Sequence, residues 1–153
     1  AFWFASYTIP GGGISILRDG QWQYFTPANG LPHPYVTSLL EDSNGDVWAG
    51  AGFMDRGGLA RFHGYSLAQA FTAADGLAGA KVRSLFQDRG GALWAGSEYD
   101  GLARRSGAHW QVWRKDLSHL EVKTFLQDQA GNLWLGTRDG ITRIDASALR
   151  TAP

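Results

Sequence analysis

The sequence predicts an all-β chain of propeller blades, and three observations predict it. A tryptophan-anchored motif, D-x-x-G-x-[VL]-W, occurs at residues 42–48, 88–94 and 128–134. Its tryptophans are 46 and 40 residues apart, with Trp3 another 45 upstream, which is the period of four-stranded blades. Composition agrees. The 21 glycines and seven tryptophans in 153 residues, with only 18% charged, describe a turn-rich chain with large packing anchors.

The second repeat is the clearest to read. Residues 36–41 alternate and are bounded by turn residues, so they form a first strand, A. Asp42 and Gly45 then make a tight hairpin, Asp accepting backbone N–H bonds and Gly supplying a positive φ. Strand B is 47–51, strand C 58–62 and strand D 67–71. The same order recurs as A at 82–86 and 122–126, B at 93–96 and 133–136, and C at 13–16, 101–104 and 140–143. Strand D recurs at 21–25 and 110–113, and the linkers 26–31 and 72–77 match.

Strand A is apolar on both sides at its centre (Leu39 and Leu40; Leu85 and Phe86; Phe125 and Leu126), as expected of a sheet covered on both faces. A buried tryptophan contributes roughly 4–6 kcal/mol gross at ~25 cal/mol per Å². Trp3, Trp48, Trp94 and Trp134 are therefore the expected wedges between blades, and Asp42, Asp88, Asp128, Gly45, Gly91 and Gly131 the expected turn residues.

The strands total fourteen, about 3.5 blades, in one propeller segment spanning 1–153. Blade bounds fall near 1–30 (partial), 31–76, 77–116 and 117–146 (partial), with 147–153 as a tail. Incomplete end blades expose an apolar face and a strand edge. Three arrangements would answer this: an excerpt of a longer propeller, a half that assembles with a copy or partner, or a small four-bladed ring.

Net charge is zero, so composition offers no nucleic-acid or membrane-surface signal. No apolar run is long enough to span a membrane, and the absence of cysteine leaves no disulfide or thiolate metal site. His33, His63, His109 and His119 show no H-E-x-x-H spacing, and no nucleophile elbow or phosphate cradle occurs. Asp42, Asn44 and Asp46 imitate the start of a calcium loop, but Val47 and Phe53 stand where Gly and Glu are needed. No catalytic residue, metal or cofactor is expected.

Ligands of a propeller are expected on the face carrying the D–A and B–C connections, here 27–35, 52–57, 75–81, 98–100, 116–121 and 138–139. The longest B–C connection surrounds Phe53, Met54, Asp55 and Arg56. Thr37, Arg83 and Lys123 occupy one equivalent position near the start of strand A, so the two cations should approach the channel mouth and attract an anion. Tyr35, Tyr99 and His119 are placed to stack on or hydrogen-bond a sugar. Arg56, Lys81 and Arg138 complete the candidate ligand-binding set.

The segment 122–137 followed by Gly140, Ile141, Thr142 and Arg143 resembles the two-component regulator propeller repeat almost position for position. The likeness covers about residues 2–146, departing where Ala5 replaces Gly and where the first repeat lacks strand A. It implies a non-enzymatic, ligand- or protein-binding part of a bacterial sensor, periplasmic or extracellular, of the kind carried by hybrid histidine kinases. It also implies a carbohydrate or other small anionic ligand, and further blades from a longer chain or a homo-oligomer as partners. Two alternatives stand beside it: a propeller lyase of the streptogramin or polysaccharide type, and a structural protein-interaction scaffold.

Overall fold

The computed structural model describes residues 1–8 and 11–150. Among these, fourteen strands make four antiparallel sheets. The first contains β1 (Phe2–Ser6), β2 (Gly13–Arg18) and β3 (Gln21–Phe25); the second, β4 (Val36–Glu41), β5 (Val47–Phe53), β6 (Arg56–His63) and β7 (Ser66–Phe71). The third contains β8 (Val82–Gln87), β9 (Leu93–Ser97), β10 (Leu102–Ser106) and β11 (His109–Trp113); the fourth, β12 (Val122–Gln127), β13 (Leu133–Thr137) and β14 (Ile141–Ile144). Each sheet is a simple up-and-down meander. The first strands pack side by side, β4 on β8 and β8 on β12, which places them innermost. Three apolar clusters fill the seams between successive sheets. No helix among the described residues is long and apolar enough to cross a membrane.

Each motif aspartate does more than turn the chain. Asp42, Asp88 and Asp128 accept backbone N–H bonds inside their own hairpins through Oδ1. Through Oδ2 each also accepts the indole N–H of the tryptophan six residues on: Trp48 at 2.8 Å, Trp94 at 2.9 Å and Trp134 at 2.8 Å. One carboxylate thus locks a turn to a wedge. Gly45, Gly91 and Gly131 take φ of 81°, 85° and 90°, which the hairpin needs and an L side chain resists.

The G-[LI]-x-R of strand C explains itself in the same frame. Arg61, Arg104 and Arg143 lie opposite Trp48, Trp94 and Trp134 in the ladder. Their guanidinium carbons sit 5.7, 5.5 and 5.8 Å from the indole centroids. Such stacking is worth about 0.5–1 kcal/mol at a partly exposed site. In the first sheet Trp3 has Ile16 opposite it and packs edge-on to Phe62, with ring centroids 5.2 Å apart.

Neighbouring blades are tied by side chains as well as by apolar contact. Gln87 at the end of β8 accepts from Ser43 N–H (2.8 Å), and Gln127 at the end of β12 accepts from Arg89 N–H (2.9 Å), each reaching the preceding hairpin. Close approach also demands the glycine two residues after Trp48 and after Trp94. A Cβ on Gly50 would stand 2.8 Å from Val82 Cγ1 of the next blade.

Three regions depart from the expected boundaries. The B–C connection of the second repeat is not an irregular loop: the ladder runs on through Gly52–Gly57 to the Phe53–Arg56 pair, so Met54 and Asp55 alone form the turn. The linkers after strand D carry short 3-10 helices, Pro27–Asn29 and Ala73–Asp75, capped by Thr26 and Thr72 and ended by Gly30 and Gly76. Ala146–Arg150, which runs into the expected tail, forms a helix, α1, with Leu149 buried against the last seam and its carbonyl accepting from Arg104 (2.9 Å). Residues 151–153 lie outside the described ones.

Trp94 is fully buried and Asp88 nearly so, whereas Trp134 is half-buried. Trp94→Phe should therefore cost about 2–4 kcal/mol, because it removes buried volume and orphans a carboxylate oxygen. Trp134→Phe should cost less than half of that, as read from urea denaturation midpoints.

The indole of Trp134, with Asn132, pulls the Asp128 carboxyl down from 3.8 to about 2. A lowered carboxyl stabilises the fold above its ordinary titration range and loses that contribution as pH falls. Wild-type stability should thus drop between pH ~4 and ~2 more steeply than that of Asp128→Asn, as measured by denaturation at stepped pH.

Candidate functional site at the channel mouth

The three inner strands share one irregularity. The register slips between Val36 and Ser38, between Val82 and Ser84, and between Val122 and Thr124. The extra residue of each bulge is Thr37, Arg83 or Lys123. A bulge turns its side chain out of the sheet's regular alternation. Here Arg83, Lys123 and Thr37 line one cavity of about 340 Å³, together with Val36 and Tyr7. Thr37 Oγ1 is committed to the seam, donating to Val82 O at 2.6 Å.

The cations at this mouth are not bare. Arg83 meets Glu98 at 3.1 Å and Glu121 at 3.4 Å, and Lys123 lies 3.8 Å from Glu121. Lys81 is buried beneath them and paired to Glu98, with the rings of Tyr7 and Phe53 5.7 and 5.9 Å from its ammonium. Burial alone would lower the Lys81 ammonium, but the hydrogen bond and charge of Glu98 outweigh it and raise it above its ordinary value. Burial likewise works to raise Glu98, and the hydrogen bonds of Lys81 and Arg83 overcome it and leave the carboxyl lowered. Three cations thus face two carboxylates, leaving one positive charge in excess.

The other predicted residues divide. Tyr35 is buried, its ring 4.7 Å from that of Tyr7 and 5.5 Å from that of Phe53, so it supports the mouth rather than lining it. Tyr99 is half exposed over a second hollow of about 480 Å³ with Met54, Asp55, Ala80 and Asp100. Arg56 and Arg138 are exposed on the same end of the molecule. His119 accepts the N–H of Glu121 through Nδ1 (2.9 Å), and His33 does the same for Tyr35 (3.1 Å). Both imidazoles therefore brace the turn leading into strand A. Burial, then the charges of Arg56 and Lys81, keep His33 below its ordinary value. Among the described residues no three His, Asp or Glu side chains converge as metal ligands.

Tyr7 and Glu98 were not among the expected ligand-site residues. Their signal is the repeat itself. Tyr7, Gly52, Glu98 and Arg138 each stand four residues after a wedge tryptophan. Gly52, Glu98 and Arg138 each donate a backbone N–H to the residue preceding strand A, at Tyr35, Lys81 and Glu121.

Sheets packed around their first strands, with a charged mouth at one end, define the chain as a β-propeller segment. Residues 30–52 and 116–139 match the two component regulator propeller model. No curated protein sequence matches it. Among solved structures, it is similar to the extracellular domain assigned to a hybrid two component system of B. thetaiotaomicron, with TM-score 0.70 and 25% identity over 88% of this chain. The chain spans only 18% of that relative's length. Virginiamycin B lyase from Staphylococcus aureus shares the fold at TM-score 0.67 and 16% identity, over 94% of this chain and 51% of that one. PorZ, a surface component of the type-IX secretion system of Porphyromonas gingivalis, shares it at TM-score 0.66 and 16% identity, over 98% of this chain and 24% of that one.

The Lys81–Glu98 pair is the buried electrostatic support of this mouth. Glu98→Gln should cost about 2–4 kcal/mol by stranding the ammonium. The double variant Lys81→Met, Glu98→Gln should recover part of that loss in thermal unfolding.

Proposed function

We propose that this segment is a non-enzymatic sensor propeller whose channel mouth takes a small anionic ligand, with an acidic carbohydrate fragment as the leading class. The observation that carries the reading is the repeated bulge, which aims one side chain per inner strand at a shared cavity. The excess cation supports an anion, and half-exposed Tyr7 and Tyr99 supply ring faces for a sugar. The likeness to an extracellular domain of a hybrid two component system supports a sensory role and a periplasmic or extracellular location. A lyase would need histidines brought together at the mouth, whereas His33 and His119 lie in separate D–A connections, each bracing its own turn.

The reading includes further blades as partners, from a longer chain or another copy. Phe2, Phe4, Trp22 and Tyr24 are exposed on the outer face of the first sheet, and Leu126 and Ile141 on that of the last. The corresponding positions of the inner sheets, such as Leu93, Trp110 and Leu102, are buried in seams.

The test is binding to a panel of uronic-acid and sulfated oligosaccharides. Arg83→Ala with Lys123→Ala should weaken an anionic ligand about ten-fold or more while leaving the melting temperature within a few degrees of wild type. Unchanged affinity would discard the channel-mouth site.

A further inference from the structure

The seam between the second and third blades is built differently from its neighbours at the end carrying the A–B hairpins, opposite the channel mouth. The ladder aligns Leu17, Phe62, Arg105 and Ile144 as the residue following the strand-C position that faces the wedge. Three of the four are apolar, and Phe62 is fully buried between blades. Only the third repeat puts a cation there. The Arg105 guanidinium carbon lies 4.9 Å from the Trp48 centroid and 5.3 Å from that of Phe71, both on the second blade. A departure from a repeat's own apolar rule marks a place where something other than packing is served.

Arg105 also stands apart in its bonding. Its Nε donates to Gly107 O at 3.1 Å. No hydrogen bond joins its two terminal nitrogens to an acceptor among the described residues, and Arg105 lines an open cavity of about 270 Å³ with Asp42, Asn44, Asp46, Trp48 and Arg61. The carboxylates in that cavity are already engaged. Asp42 holds Trp48 and its own hairpin. Asp46, buried, accepts from Arg61 Nε at 2.6 Å and faces His63 Nδ1 at 2.7 Å. Burial, and then the charge of Arg61, lower the Arg105 guanidinium, while Asp42 and Asp46 pull the other way.

We infer that this cleft is a second, separate binding site, in which the free edge of Arg105 takes a carboxylate group in a two-point hydrogen bond with Trp48 and Phe71 holding the guanidinium plane. Guanidinium and carboxylate match in planarity and spacing. Asp42 and Asp46 in the same cleft disfavour a dianion such as phosphate by like-charge repulsion. The inference does not depend on the channel-mouth reading, since it uses none of the same residues.

The experiment is a titration of the full chain with acetate, and separately with inorganic phosphate at matched ionic strength. The indole N–H of Trp48 and the Nε–H of Arg105 are followed by NMR. Acetate should shift both resonances saturably, and phosphate should bind about ten-fold more weakly or not at all. Arg105→Leu restores the residue type of the first repeat, so it should fold and melt no lower than wild type. It should lose the Trp48 response to acetate. Arg105→Lys, which keeps the charge but not the paired donors, should weaken acetate about ten-fold. No saturable shift in wild type, an undiminished Trp48 response in Arg105→Leu, or preference for phosphate would overturn the assignment.

Discussion

The bond from the indoles of Trp48, Trp94 and Trp134 to the aspartate six residues before each is the constraint on which these blades depend. An indole N–H buried without an acceptor costs about 1–3 kcal/mol, a large part of what the side chain gains by packing. Meeting each other, indole and carboxylate let the largest apolar side chain and a charged turn occupy the same seam. The turn then fixes where β5, β9 and β13 begin, and the strand-C arginine closes over the ring from the opposite strand. Glycine two residues after Trp48 and after Trp94 is a consequence: once the ring is seated, the next blade's first strand comes too close for a Cβ.

Much of this was legible in the sequence because it repeats. A period, a wedge and a turn seen three times define sheet number, strand order and seam positions without any knowledge of contacts. The purposes of the arginine, the Gln at the end of strand A and the second carboxylate oxygen were less legible, because each is a bond to a residue in another strand or another blade. Alternation predicts which face a side chain takes; it does not predict the partner waiting there. The second repeat's long B–C connection shows the same limit. Its extra length suggested a loop, yet Gly52 and Gly57 pair across the ladder and let the hairpin extend to Phe53 and Arg56.

The channel mouth was legible in position but not in balance. Equivalent placement of Thr37, Arg83 and Lys123 pointed to the mouth, and the structure brings all three to one cavity. The counter-charges are Glu121 at the entry to β12 and Glu98, which reaches the cations from a B–C connection that alternation does not mark. Lys81, expected among the ligand-facing cations, is buried and neutralised, so it holds the rim up from below. The result is a rim whose charge is largely internal, with a small surplus directed outward.

The bulge at the start of each inner strand has a consequence for how such a protein can change. Because the extra residue stands outside the ladder's pairing, the backbone accepts different side chains there: Thr37 ties its hydroxyl into the seam, while Arg83 and Lys123 reach into the cavity. Under the proposed function, specificity at the mouth is set one blade at a time, at positions outside the ladder's pairing. Under that reading the mouth can take a new ligand by substitution at these positions, while the wedges and turns that define the blade stay as they are.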